Sequence, residues 1–305
     1  MSAIPVIVIV GPTAVGKTAL SIAVAEKFSG EIISGDSMQV YKGLDIGTAK
    51  VTTEEMHTIP HYLIDEVEPQ TPFTAAKFQK ATKQYIHQIA GRANLPIIVG
   101  GTGLYIQSVF YDYNFGTIAE DRTYRKELEK LDNDVLWEQL KALDSLSAER
   151  IHANNKQRVI RALEVIKATN KPFSAMHTHK EPVADFRPLY IGLDLPREQL
   201  YARINVRVEL MLQAGLVEEA RNLYEQGLDK NLPAMKGIGY KELFAFFEGD
   251  ISLEAATDQI KQNSRRFAKR QLTWFRNRMD IHWLEADSQM LNNTAEQLIT
   301  DFLKK

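Results

Sequence analysis

Residues 11–18 read GPTAVGKT, an instance of the pattern GxxxxGK[ST], and this octet constrains the fold more than any other part of the chain. Such a loop works between a buried strand and a helix. Its glycines let successive backbone N–H groups turn inward on an anion, and the helix N-terminus adds partial positive charge. Both flanks comply, with the apolar run VIVIV at 6–10 before the loop and a helical pattern over 18–28 after it. Gly11, Pro12, Thr13, Ala14, Val15 and Gly16 would then form a cradle for a di- or triphosphate. Lys17 would reach its terminal phosphates, and the Thr18 hydroxyl would bind Mg²⁺. A glycine-rich strand-to-helix turn without a ligand is the plainer alternative. The motif names an anion and leaves open which phosphate compound is bound and what is done with it.

Short apolar runs at 6–10, 31–34, 96–99, 189–195 and 281–284 read as buried parallel strands. Helical patterns over 18–28 and 75–92 separate the first three, and that alternation means a parallel α/β sheet. After Tyr105 the alternation stops. Residues 120–170 hold no strand run and read as helices at 121–130, 135–143, 148–151 and 157–169, and 172–188 reads as loop. The expected fold is an α/β core made of residues 1–116 and 188–305, interrupted by a mostly helical insertion at 117–187. Helices at 198–226, 240–249 and 253–278 would complete the core.

With no cysteine, a disulfide framework, a cysteine-ligated zinc site and a thiol nucleophile are all excluded. A cytoplasmic location fits that composition. No signal peptide is visible, and no apolar stretch approaches the ~18 residues of a membrane span, so no membrane partner is expected. The net charge of −2 argues against nucleic acid, but its distribution does not. Residues 150–180 carry +6 and residues 261–278 carry +7, leaving −15 on the rest. Segregation of this kind is the footprint of a polyanion site, or else of two solvated helix faces.

Other candidates gather at strand ends, where ligands sit in doubly wound sheets. The second strand runs into SGDSMQVY at 34–41, which would turn Asp36 toward the phosphate site, as a general base or a ligand of metal-bound water, or as a simple turn aspartate. The third ends in GGTGLY at 100–105, whose glycines permit a close approach and whose Thr102 offers a hydroxyl. A metal-binding Asp ending the third strand, usual in nucleotide hydrolases, is missing, so the loop could hold a phosphorylated substrate rather than an ATP to be split. In the insertion, Arg158 and Arg161 share one helix face with Gln157 nearby, a fork suited to phosphate or base contacts and equally to surface salt bridges. Arg266, Lys269, Arg270 and Trp274 interleave base and aromatic on the last long helix. His177 and His179 read as a solvated turn.

Taken together, these residues closely resemble the tRNA dimethylallyltransferase family, the isopentenyltransferases that modify the adenosine just 3′ of the anticodon. The matching blocks are GPTAVGKT at 11–18, SGDSMQVYKGLDIGTAK at 34–50, PHYLID at 60–65, VGGTGLY at 99–105, QRVIRALEV at 157–165, GIGYKE at 237–242 and AKRQLTWFRN at 268–277. They span nearly the whole chain in order. Gly35 is a small departure to which no consequence attaches. Lacking cysteine, the chain looks like the bacterial form rather than eukaryotic relatives with a zinc finger. The resemblance implies a P-loop-kinase-like core with an inserted helical domain. A monomer is expected as the working form. It implies dimethylallyl diphosphate on the loop, held by Lys17, Thr18 and Mg²⁺. The target adenine would be flipped from the anticodon stem-loop of tRNA, with Asp36 orienting its amine and taking its proton. By the same resemblance Thr102 lines the channel, Ser37, Met38 and Gln39 touch RNA beside the base, and Arg125 with Gln157, Arg158, Val159, Ile160 and Arg161 holds the stem-loop. Two other readings share the core: a free-nucleotide (AMP or ATP) isopentenyltransferase, which would not need a basic insertion, and a small-molecule kinase or RNA-binding ATPase, which predicts nucleotide turnover.

Overall fold

The computed structural model describes residues 3–111, 113, 121–177 and 183–305. The chain opens with β1 (Ile4–Val10), α1 (Lys17–Phe28), β2 (Gly30–Ser34), α2 (Thr53–Met56), β3 (His61–Tyr62), α3 (Ala75–Gly91), β4 (Leu95–Gly100) and α4 (Gly103–Phe110). The helices α5 (Arg122–Glu129), α6 (Asn133–Leu143), α7 (Ser145–Arg150) and α8 (Lys156–Thr169) follow. Then come β5 (Phe186–Asp194), α9 (Arg197–Gln213), α10 (Leu216–Glu225), α11 (Tyr240–Phe247), α12 (Leu253–Arg278), β6 (His282–Glu285) and α13 (Leu291–Leu303). One compact unit runs to Phe110 and resumes at Ala184; the other is Tyr111–Val183. The expected boundary at 116/117 falls outside the described residues, as do Thr178, His179 and Lys180.

The first unit is a six-stranded parallel sheet in the order β3-β2-β4-β1-β5-β6. β1 is central, with Ile7 opposite both Ile97 of β4 and Leu189 of β5. Its residues Val6 to Val10 are fully buried, as an unbroken apolar run in a parallel sheet requires. Ile7 and Ile9 share a core with Leu20 and Val24 of α1, Leu200 and Ile204 of α9 and Ile299 of α13. A second core gathers Val40, Tyr41 and Leu44 against Val208 of α9, Leu216 of α10 and Tyr240 of α11. Among the described residues no helix is long and apolar enough to cross a membrane.

All five expected strands are present, and β5 starts at Phe186, within the stretch read as insertion. One expected helix is corrected: residues 198–226 form two helices, not one. Gly215 adopts the left-handed conformation at φ 103°, which ends α9 and starts α10 in a new direction. β3, α2, α4 and α13 were not expected from sequence.

In the second unit, α5 to α8 close on Leu128, Leu136, Leu140, Val159, Ile160 and Leu163. The Trp137 indole N–H donates to the Ile151 carbonyl at 3.0 Å, joining α6 to the end of α7.

Candidate active site

The glycine loop leaves β1 and enters α1 as the octet requires. Gly16 holds φ 103° and Ala14 holds φ 64°, left-handed conformations that turn the loop on itself. Val15 is fully buried and anchors the loop to the sheet-side core. The Lys17 ammonium donates to the carbonyls of Gly11 (3.1 Å) and Pro12 (2.8 Å), so two of its three donors are in use. Burial, helped by the charge of Arg207, pushes the Lys17 amine down to about 8, while the Asp36 carboxylate opposes the shift.

Lys17, Thr18 and Asp36 line one cavity of about 570 Å³. Asp36 sits just beyond β2, its Oδ1 accepting the Met38 N–H at 2.8 Å in a local turn. Thr102 lies beside this turn. Its Oγ1 accepts the Ser37 N–H at 3.1 Å and meets the Ser37 hydroxyl at 3.3 Å, and its own N–H donates to the Gly35 carbonyl at 3.2 Å. The approach requires glycine, since a Cβ on Gly100 would lie 2.3 Å from the Gly35 backbone. Gln39 also lines the cavity, but its amide is turned into the protein: Oε1 accepts from the Ser34 hydroxyl at 3.0 Å and Nε2 donates to the carbonyls of Thr48 and Ala49, each at 3.3 Å. Met38 packs against the turn before α11, where a Cβ on Gly237 would meet its Cε at 2.7 Å.

Among the described residues no three His, Cys, Asp or Glu side chains come together as a metal cluster. Thr18, with its hydroxyl, and Asp36, with its carboxylate, are two of the hard-oxygen residues lining the cavity, and they fit an ion held mainly by phosphate and water, as Mg²⁺ is.

Sequence reading missed three contributors to this site. Arg207 of α9 lines the cavity; burial lowers its affinity for a proton, opposed by Asp36 and Glu55. Gln271 of α12 reaches the loop, its Oε1 accepting the Thr13 N–H at 2.9 Å. Glu219 of α10 accepts the N–H groups of Asp45 (2.9 Å), Ile46 (2.8 Å) and Gly47 (2.9 Å) and the Tyr240 hydroxyl (2.6 Å), fixing the turn that leads to Thr48 and Ala49. All three come from helices far along the chain; Arg207 and Glu219 carry no local motif, and the block AKRQLTWFRN that contains Gln271 does not mark which of its residues reaches the loop. The signal available was a polar residue within the otherwise inward stripe of a helix.

On α12, Lys261 pairs with Glu209 and Arg276 with Asp194. Arg266, Lys269 and Arg270 are exposed and meet no carboxylate among the described residues, giving that helix a cationic outer face.

In the second unit the candidate cations are largely engaged with one another's partners. Glu164, 3% exposed, accepts the Arg125 guanidinium on both oxygens at 3.2 Å, and Arg161 lies 3.6 Å away. Arg125 also donates to Gln157 Oε1 at 2.7 Å. Arg158 is exposed on the same helix with no carboxylate partner among the described residues. Val159 and Ile160 are corrected as RNA contacts: both side chains are fully buried in the unit's core, so they hold the helix that presents their neighbours.

A lysine-backed anion cradle facing a carboxylate across one cavity meets the needs of a group-transfer enzyme acting on a phosphorylated donor. Comparison with known proteins narrows that class. The IPP transferase family model matches residues 39–278. A tRNA dimethylallyltransferase of Anoxybacillus flavithermus is 54% identical over 280 residues, covering 92% of this chain and 90% of the relative. A crystal structure of a tRNA isopentenylpyrophosphate transferase from Staphylococcus epidermidis superposes with TM-score 0.73 at 49% identity over 99% of both chains. A eukaryotic dimethylallyltransferase captured acting on tRNA superposes at 0.85 with 32% identity, over 99% of this chain and 80% of that one. The chain belongs to the tRNA dimethylallyltransferase (IPP transferase) family and is a transferase.

Proposed function

We propose that this chain transfers the dimethylallyl group of dimethylallyl diphosphate to the exocyclic amine of the adenosine 3′ to the anticodon of tRNA, releasing diphosphate. The observation that carries the reading is the single cavity shared by the glycine loop, Lys17, Thr18, Arg207 and Asp36. The diphosphate lies on the loop N–H groups. As the allylic C–O bond breaks, negative charge collects on the leaving oxygens, where Lys17, Arg207 and the N-terminus of α1 stabilise it. Mg²⁺, bound by Thr18 and the diphosphate, would further neutralise that charge. An adenine amine is a poor nucleophile because its lone pair is delocalised into the ring. Asp36 orients it and accepts its proton as the C–N bond forms, its turn held by Thr102 through Ser37. Stacked on its neighbours in the anticodon loop, the target base cannot present that amine, so it must be flipped out.

RNA affinity is supplied by the cationic outer face of α12 on the core and by the exposed Arg158 of α8. The Glu164 network orients Arg125 and Gln157, leaving the Gln157 amide nitrogen to donate. The reading includes a single-chain enzyme of the cytoplasm. Incubating the protein with labelled dimethylallyl diphosphate and Mg²⁺, together with unmodified tRNA, AMP or ATP, tests it. Label on tRNA supports the reading. Label on the free nucleotide would make the chain a cytokinin-type enzyme, and ATP turnover without transfer would make it a kinase or ATPase.

A further inference from the structure

The inward stripe of α12 is apolar at Ala268 and Phe275, both fully buried, and polar between them at Gln271, 5% exposed. Burying a primary amide is unfavourable unless its donors and acceptor are bonded, and an aliphatic side chain would fill the stripe without that penalty. Both ends of the Gln271 amide are used. Oε1 accepts the Thr13 N–H at 2.9 Å, and Nε2 donates to the Gly101 carbonyl at 3.1 Å. The partners' own chemistry fixes which end is which, because an N–H can only meet the oxygen and a carbonyl only the NH₂.

The two partners belong to different loops of the proposed reaction. Thr13 lies in the loop that takes the leaving diphosphate. Gly101 precedes Thr102, which accepts the Ser37 N–H beside Asp36. A bonded path therefore runs from the anion cradle through Gln271 to Gly101, and on through Thr102 to the turn that carries the base. Gln271 also takes the Thr13 N–H for itself, so the N–H groups left for an anion begin at Ala14.

We propose that Gln271 is a positioning residue for transfer, setting the spacing between the diphosphate cradle and Asp36. This rests on the reading that the loop and Asp36 serve one reaction. Small losses of alignment between reacting groups are costly, with about a 1 Å misplacement lowering rates about 100-fold. Gln271→Met keeps length and bulk and makes neither bond. Its single-turnover rate at saturating donor and tRNA should fall about 10- to 100-fold, with tRNA affinity within about twofold of wild type. Gly101→Ala supplies an independent disturbance, since a Cβ there would lie 2.0 Å from the Gln271 nitrogen and evict the same amide. The two changes act on one contact, so the double variant should be about as slow as the slower single one rather than the product of both. Rates are taken well below the unfolding midpoint of each variant and scaled to the folded fraction. A Gln271→Met enzyme within twofold of wild type after that scaling overturns the proposal, and so does a multiplicative double variant. If wild type itself transfers nothing to tRNA, the functional reading fails instead.

Discussion

Lys17 should make donor binding depend on pH in a way that reports its burial. Its amine titrates at about 8 in the free protein rather than at the ordinary 10.5, because burial and Arg207 disfavour the cation. A bound diphosphate does the opposite, adding negative charge beside the ammonium and drawing the value back up. Affinity then tracks the protonated fraction of the free protein, about nine-tenths at pH 7 and about one-tenth at pH 9, a loss of about tenfold or ~1.4 kcal/mol. The protein must take up close to one proton per donor bound at pH 9. The unliganded protein shows the reverse trend. Lys17 binds its proton more weakly folded than unfolded, so its contribution to stability rises as pH climbs from about 8 toward 10.5. Calorimetric titration of dimethylallyl diphosphate between pH 6.5 and 9.5, in buffers of different ionisation heat, measures both affinity and proton uptake. Lys17→Met removes the titrating group and leaves the ionisation of the ligand in place. It should bind weakly, without the extra slope. Equal slopes for wild type and Lys17→Met would refute the argument.

Replacing Asp36 by Ala should lower single-turnover transfer by ~10²–10⁴-fold with little change in tRNA affinity, and a near-normal rate would remove it as the base. Arg158→Gln should weaken tRNA binding and reduce the slope of log affinity against log salt by about one, as read from filter-binding isotherms. A smaller effect is expected from Arg161, already near Glu164. Glu31 is buried, which alone would raise its carboxyl, yet hydrogen bonds from Arg92, Tyr62 and Asn94 hold it at about 2. Because its folded value lies below the unfolded 4.5, the stabilisation is complete above about pH 4.5 and fades as pH falls through 2. Glu31→Gln should therefore cost about 2 kcal/mol at pH 7, allowing for the half-exposed Arg92, and less at pH 3, as measured by denaturant unfolding.

Sequence patterning reveals what is local. The strands at 6–10 and 96–99 are unbroken apolar runs between turn signals, and Asp36 and Thr102 follow strand ends, where topology alone puts chemistry. The two-residue β3 has no run to detect; His61 and Tyr62 join the sheet because β2 is already there. α4 was masked by its own glycines, which read as a turn although Gly103 begins the helix. Gln271 and Arg207 were out of reach for a different reason. Each acts on a loop more than 150 residues away, and only the packing of α9 and α12 brings them to it. Likewise the fork of Arg158 and Arg161 is legible as a spacing, and Glu164 stands three residues beyond Arg161 on the same helix, but that Glu164 also takes Arg125 on both oxygens becomes visible only when α5 and α8 meet.

The central position of β1 has a consequence for biosynthesis. Its two neighbours are β4, which ends at Gly100, and β5, which begins at Phe186. At roughly 5–20 residues per second, a ribosome leaves one edge of β1 unpaired for roughly 4–17 s after β4 has emerged. An apolar strand with an open edge is a template for wrong partners. Among the described residues between them, most are helical and their contacts are short in sequence, so they can settle while the sheet waits. The nascent chain is thus most exposed to aggregation and to chaperone capture in that interval, and truncations ending before Phe186 inherit the hazard permanently. The glycine loop is synthesised in the first twenty residues, yet the amide that holds it belongs to the last helix but one.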